Sequence, residues 1–469
     1  MLDEIGLIGL GRMGRNLAAN LMAHDIAVRA WDQSIDGLAE LQAVNPDLLL
    51  CGDIAELVKA LSPPRCVMLM VPDGDAVEEC LAALSDVLEK GDVIIDSGNS
   101  HYRDTERRQN VLLNQGLYLL GVGISGGVDG ARHGPSLMGG GPAAAWRRAG
   151  PILETIAANA SGKSCAGYLG EGGAGHFVKM VHNGIEYAIL QILADVFDLL
   201  SQGCAMPAEE VAETFAELNF GPTAGFLVGA SERVVASRDD AGSGFLIDAV
   251  DDRAEQKGTG RWAVQAALDF GVAVPTLSAA VHFRDLSADD RLRGAVELYA
   301  TGDAHQASLS PGNVKPLIGS AVACAIVSAF AQGFALITAA EENFGAALDQ
   351  HRIAQLWRSG CILRGEMVNQ IAESLAAEPQ SVDLLRSDGL RPLVAEGLEP
   401  LRELSMAALS IGLPVPGLST AAGYVDALRQ SSLSTRFIQL HRDYFGAHGF
   451  RRIRQDFMVH GPWHRDDDT

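Results

Sequence analysis

The sequence predicts two parts of different architecture. A Rossmann-like, doubly wound α/β domain spans residues 1–173 and a large all-helical domain spans 174–430, followed by a tail at 431–469. Three observations carry this. A glycine turn, GLGRMG, joins an apolar strand pattern to a helical one at the start of the chain. Strand and helix patterns then alternate to about residue 170, and long helical patterns take over from about 174. At 469 residues the chain exceeds what one core usually holds.

Each element follows in order. EIGLI (4–8) reads as a buried parallel strand running into Gly9, Gly11 and Gly14, with Arg12 and Met13 between them. In such a turn the first glycine allows the bend and the second lets a pyrophosphate approach the backbone. The third packs helix on strand, and the helix N-terminus faces the phosphates. The next strand, IAVRAWD, ends at Asp32, placed to hold ribose hydroxyls; the plainer alternative is a turn cap. Gln33 and Ser34 follow where an NADP site wants a cation, so the pattern leans to NAD, with NADP possible. CVMLMVP and DVIIDSGNS are further strands, whose ends bring Val71, Pro72 and Asn99 to the cofactor side. GVGISGGVDGARHGPSLMGGG holds nine glycines, suited to a backbone that closes on a ligand near Ser125, Gly126 and Gly127.

Composition narrows the function classes. The chain is 48% hydrophobic and 20% charged, as folded globular proteins are. A formal net charge of -23 argues against nucleic acid or an anionic membrane as partner, so an anionic substrate needs a local basic cluster. The seven cysteines show no paired or metal-ligand spacing, which points to reduced cytoplasmic thiols and no metal site. The N-terminus lacks the basic region of a signal peptide. The uncharged run at 320–340 could span a bilayer by length, but Gln332 lies in its middle and basic flanks are missing. A buried central helix is expected.

FVKMVHNGIEY (177–187) carries the chemistry. As a helix it places Lys179, His182, Asn183 and Glu186 at i, i+3, i+4 and i+7, one polar stripe in apolar surroundings, with Tyr187 beside it. A solvated face is the ordinary reading of such a stripe. Next to a glycine-rich exit from a nucleotide domain, a site is favoured.

GEGGAGHFVKMVHNGIEY, SGGVDGARHGPSLMGGG, IIDSGNSHYRDTERR, QKGTGRW, GCILRGE and HRDYFGAH together resemble the signatures of the decarboxylating 6-phosphogluconate dehydrogenases, in the family's order and over almost the whole chain. The resemblance implies that Lys179 is general base and Glu186 general acid. It implies that Asn99, Ser125, Gly126, Gly127, His182 and Asn183 hold the sugar acid, and that Tyr187, Lys257, Thr259 and Arg284 grip its phosphate. Arg442 and His448 would enter from a partner's tail, making a homodimer, with a tetramer also open. A related β-hydroxyacid dehydrogenase acting without decarboxylation on an unphosphorylated acid would share the turns and the lysine helix, but would not need Lys257, Arg284, Arg442 and His448. A non-catalytic nucleotide sensor would be expected to have lost Lys179 or Glu186. The sequence departs from the family at Asp32-Gln33-Ser34, at Val128 and at MVPDGD, the first bearing on cofactor choice.

Overall fold

The computed structural model describes residues 3–34, 41–43, 45–293, 309–345, 347–378 and 383–464; the end of the expected tail, 465–469, lies outside them. Strands β1 (Glu4–Ile8), β2 (Ala27–Trp31), β3 (Leu49–Leu50), β4 (Cys66–Leu69), β5 (Val93–Asp96), β6 (Tyr118–Ser125) and β7 (Ser136–Gly140) come first. A two-stranded hairpin, β8 (Asn159–Ala160) and β9 (Lys163–Ser164), precedes β10 (Ala166–Gly170). The main sheet has the order β10-β7-β6-β5-β4-β1-β2-β3. All its pairings are parallel except β6 with β7. The strand order reverses between β1 and β4, so a crevice opens at their C-terminal ends.

The central strands read as continuous apolar runs because both faces are covered. Leu7, Met68, Ile95 and Leu120 point into one core, with Leu17 and Leu21 of the helix Arg12–Ala23. Their neighbours Ile8, Leu69, Ile94 and Leu119 point into the other, with Leu57 and Leu81. The period-two alternation of a strand is thus satisfied on both sides.

The glycine-rich stretch 121–141 forms most of β6, the helix Gly127–His133 and β7, with the Ser125–Gly127 turn between the first two. Its glycines serve close packing. The long helix Ala174–Asp198 crosses the sheet here, and a Cβ on Gly175 would strike the carbonyls of Gly121 and Met138 and the amide of Gly140. The helix therefore lies directly on backbone.

This contact has a consequence for the expected domains. The chain separates into two compact units, Met1–Ala421 and Ala422–Thr469. The expected junction at 173/174 falls inside the first of these units, where the helix that begins there is packed on the sheet it leaves. Around it, the helix Pro311–Ala339 is the expected buried core element, with 89% of its most apolar window inside the protein. Gln332 is satisfied there: its Oε1 accepts from Thr276 N at 2.9 Å and its Nε2 donates to Thr276 Oγ1 at 2.9 Å.

The second unit holds the helix Thr435–Gly446 and a small hairpin, Phe450–Arg451 with Met458–Val459. Its centre is polar. Asp443 is fully buried and accepts from Gly449 N (2.8 Å), Gly461 N (2.8 Å), His460 Nδ1 (2.7 Å) and Trp463 Nε1 (2.9 Å). Burial works to raise the Asp443 carboxyl, but these donors outweigh it and hold it at about 2.

Gly175→Ala is expected to cost about 1–3 kcal/mol, because backbone on three sides cannot yield as a side chain would. Thermal denaturation checks this; an unchanged melting temperature would contradict the packing described.

Candidate functional site

The nucleotide side is shaped by the turn after β1. Gly9 has φ +99°, and a Cβ there would meet the Met70 carbonyl; a Cβ on Gly14 would meet the Gly9 carbonyl. Gly11 has open space where its side chain would be, leaving room for a phosphate to approach. Arg12 and Met13 begin the helix whose N-terminus faces that space. Asp32, half-buried at the end of β2, holds the turn itself: its carboxylate accepts from Leu10 N and, at 2.8 Å, from Ser34 N. The cap and the ribose partner foreseen as alternatives are therefore compatible, since each carboxylate oxygen has a further lone pair.

A cleft of about 510 Å³ is lined by Gly9, Gly11, Asp32, Gln33, Val71 and Pro72, with Glu79 on the far wall. No Lys or Arg is among its described lining residues, and the sequence has none from 30 to 58. The cradle fits a dinucleotide pyrophosphate, and the charged groups among its described lining residues, Asp32 and Glu79, are carboxylates.

The substrate side is built on the helix Ala174–Asp198. Lys179 enters above β6, where a Cβ on Gly123 would collide with its own Cβ; only glycine admits it. Lys179, His182, Asn183 and Tyr187 are buried, and Glu186 is partly so. Polar contacts link them across three elements. Ser125 Oγ lies 3.1 Å from His182 Nε2, His182 Nδ1 lies 3.1 Å from Asn183 Oδ1, and Asn183 Nδ2 donates to Thr259 Oγ1 at 2.9 Å. The polarity of this chain is fixed from one end. Asn183 Oδ1 can only accept, so Nδ1 of a neutral His182 carries the proton and Nε2 accepts from the Ser125 hydroxyl. Thr259 accepts from Asn183, which frees its own O–H to donate outward.

Burial sets the charges. It lowers Lys179 below the ordinary lysine value, against the opposing pull of Glu186 and Cys361. It lowers His182 well below the usual histidine value, helped by the charge of Lys179. It raises Glu186, opposed by Lys179 and Arg284. Burial is the cause of the Lys179 shift, and no neighbouring cation among the described residues contributes to it. Arg284 stacks its guanidinium 3.6 Å from the centre of the Tyr187 ring, which holds a cation at the edge of the site.

Lys179, His182, Asn183, Glu186, Tyr187, Ser125, Thr259 and Arg284 thus come together as foreseen. Lys257 is exposed two residues before Thr259, with no bond to the others. Asn99 is exposed after β5, and Gly126 (φ +116°) and Gly127 (φ +61°) turn the chain beside Ser125. Gln33 and Ser34 are exposed beyond Asp32. Arg442 and His448 are exposed in the second unit.

Three contributors carried no warning. Trp357 packs edge-on to His182 at 5.5 Å, and Cys361 is close enough to Lys179 for each to shift the other's titration. Gly360 presses its carbonyl against Gly126. All lie in or beside the GCILRGE segment, which carries the resemblance but assigns no role to these residues.

Comparisons with known proteins agree over the full length. The model for the "NAD binding domain of 6-phosphogluconate dehydrogenase" matches residues 4–170. The model for the "6-phosphogluconate dehydrogenase, C-terminal domain" matches 175–463. The chain is 36% identical over 470 residues to the decarboxylating 6-phosphogluconate dehydrogenase of Lactococcus lactis, covering 99% of both. It is 36% identical over 465 residues to the NADP(+)-dependent enzyme of Bacillus subtilis, covering 98% of this chain and 99% of that one. The solved 6-phosphogluconate dehydrogenase of Plasmodium falciparum, studied in apo form, with NADP+ and with 6-phosphogluconate, superposes with a TM-score of 0.93. That match is at 29% identity and covers 98% of this chain and 100% of that one.

Proposed function

The chain belongs to the 6-phosphogluconate dehydrogenase family, and we propose on that premise that it oxidises and decarboxylates 6-phosphogluconate to ribulose 5-phosphate and CO2, with NAD preferred to NADP. The observation that carries the reading is Lys179 and Glu186 buried seven residues apart on one helix face, each shifted towards neutrality from opposite sides.

A nicotinamide dinucleotide held by Gly9, Gly11, Asp32, Val71 and Pro72 would supply the hydride acceptor for C3. Lys179, neutral at the moment of reaction, takes the C3 hydroxyl proton. Ser125, His182 and Asn183 orient the sugar acid, Ser125 as an acceptor because its proton is committed to His182. The 3-keto acid formed is a β-keto carboxylate and loses CO2 without a metal. Glu186, kept protonated by its poorly solvated position, then delivers a proton to C1 of the enediol. Thr259 O–H, Tyr187, Arg284 and Lys257 meet the phosphate, with charge-assisted bonds that overcome the acidic background at short range.

NAD over NADP rests on the absence of a cation beside Asp32 and on the second carboxylate, Glu79, in the cleft. The Bacillus subtilis relative is NADP-dependent and the Plasmodium falciparum enzyme has been studied with NADP+, so a preference for NAD would set this chain apart from both. A homodimer in which Arg442 and His448 complete the partner's phosphate site is supported by Phe437, Ile438, Tyr444 and Phe445, large apolar or aromatic side chains exposed on one short helix. We place the enzyme in the cytoplasm, where reduced thiols persist.

Initial rates with 6-phosphogluconate, taken with NAD and NADP in parallel, test substrate and cofactor together. kcat/KM is expected to be at least about tenfold higher with NAD, equivalent to about 1.4 kcal/mol. Preference for NADP would sink the Asp32 reading, and no turnover with either would sink the substrate.

The pH profile of kcat should be bell-shaped, since activity needs Lys179 deprotonated and Glu186 protonated. Glu186→Gln is expected to lower kcat by about 100-fold or more and to remove the fall at high pH, leaving one rise as Lys179 loses its proton. A fall that persists in that variant would assign the acid elsewhere.

Mixing inactive Lys179→Met dimers with inactive Arg442→Ala dimers, with exchange of subunits, should restore about a quarter of wild-type activity, because half the sites of each mixed dimer are intact. No recovery despite proven exchange would place Arg442 in its own subunit's site.

A further inference from the structure

Arg108 is a buried charge that the mechanism above does not use. Its side chain is 2% exposed, yet four polar groups from separate segments converge on it. Nε donates to Glu78 Oε1 at 3.0 Å, and Nη1 donates to Ser100 Oγ at 3.0 Å and to Asp96 Oδ2 at 3.3 Å. Both terminal nitrogens reach Asp73 Oδ1 at 3.4 Å. Asp96, fully buried at the end of β5, in turn accepts from Ser100 Oγ at 2.7 Å and from Gly98 N at 3.1 Å.

The residue caught between these bonds is Asn99. It is exposed, while Gly98 and Ser100 on either side are buried and hooked to one carboxylate. Asp73 directly follows Val71 and Pro72, which line the dinucleotide cleft. The two turns also touch without the arginine, since a Cβ on Gly98 would lie 3.0 Å from the Val71 carbonyl. The fork of Arg108 therefore ties the turn after β4 to the turn after β5.

We propose that Arg108 is a positioning residue that sets the turn bearing Asn99 against the Val71–Pro72 edge of the cofactor cleft, and so fixes the distance from hydride donor to acceptor. The proposal rests on the dinucleotide reading of that cleft. Only a planar, multiply donating cation meets this geometry: a lysine is a point charge that cannot serve Glu78, Asp73, Ser100 and Asp96 together. A neutral side chain would leave Asp96 buried beside Asp73 with its countercharge gone. A shift of either turn by an ångström changes hydride-transfer geometry far more than it changes the fold.

The test compares Arg108→Lys and Arg108→Gln with Arg107→Ala, which removes the exposed neighbour that also binds Glu78. NADH binding is read by fluorescence, and kcat is read with 6-phosphogluconate carrying hydrogen or deuterium at C3. Arg108→Lys is expected to weaken NADH binding and to lower kcat, each by about tenfold or more, with a larger deuterium isotope effect as hydride transfer becomes limiting. Arg107→Ala should match the wild type in all three. Ser100→Ala removes one hook and no charge, and decides the matter if the Arg108 variants do not fold; it should show the same enlarged isotope effect. The proposal is overturned if folded Arg108→Lys, or Ser100→Ala in its place, keeps NADH affinity and isotope effect within about twofold of wild type. Failure of the wild type itself to bind NADH would overturn the dinucleotide reading instead.

Discussion

The site depends on one close approach, that of the helix Ala174–Asp198 to the sheet. Gly175 touches the backbones of Gly121, Met138 and Gly140, and Gly123 clears the space for Lys179. Side chains on these glycines would lift the helix off β6 and β7, and Lys179 would no longer reach the level of Ser125. The same contact merges the nucleotide-binding sheet and the helical region into one compact unit. Sheet and helix thus present their chemistry from one closely packed seam.

Once that seam closes, water is excluded, and desolvation does most of the electrostatic work. It disfavours the charged form of every group it reaches, so it moves Lys179 and Glu186 in opposite senses and keeps His182 neutral. One physical cause thus brings a lysine, a carboxyl and an imidazole nearer neutrality, while Asn183 Oδ1 sets the imidazole's tautomer. The second unit shows the opposite balance: four donors around Asp443 overcome its burial and keep the carboxylate charged.

Much of this was legible in the sequence, for identifiable reasons. The strand–glycine–helix opening is local, and its three glycines occupy the positions that such a turn requires. The polar stripe of Lys179, His182, Asn183 and Glu186 follows from helical spacing alone. Other features were not local. The packing role of the glycines at 121–141 depends on a helix that begins at Ala174, more than thirty residues after that stretch ends. Trp357 and Cys361 reach the site from almost two hundred residues away, which no local pattern announces. The buried Asp443 of the tail was hidden because its partners come from two places, Gly449 and the stretch 460–463.

Asp32 has a bearing on how such an enzyme can change. Its carboxylate braces the end of β2 against the glycine turn, through Ser34 N and Leu10 N. On the proposed reading the same carboxylate also faces the ribose, so exchange for a neutral or basic residue would loosen the phosphate cradle while altering the cofactor's surroundings. Coenzyme choice would then be mechanically coupled to loop geometry, and a changed residue 32 would leave the cradle intact only where Leu10 gained a second support.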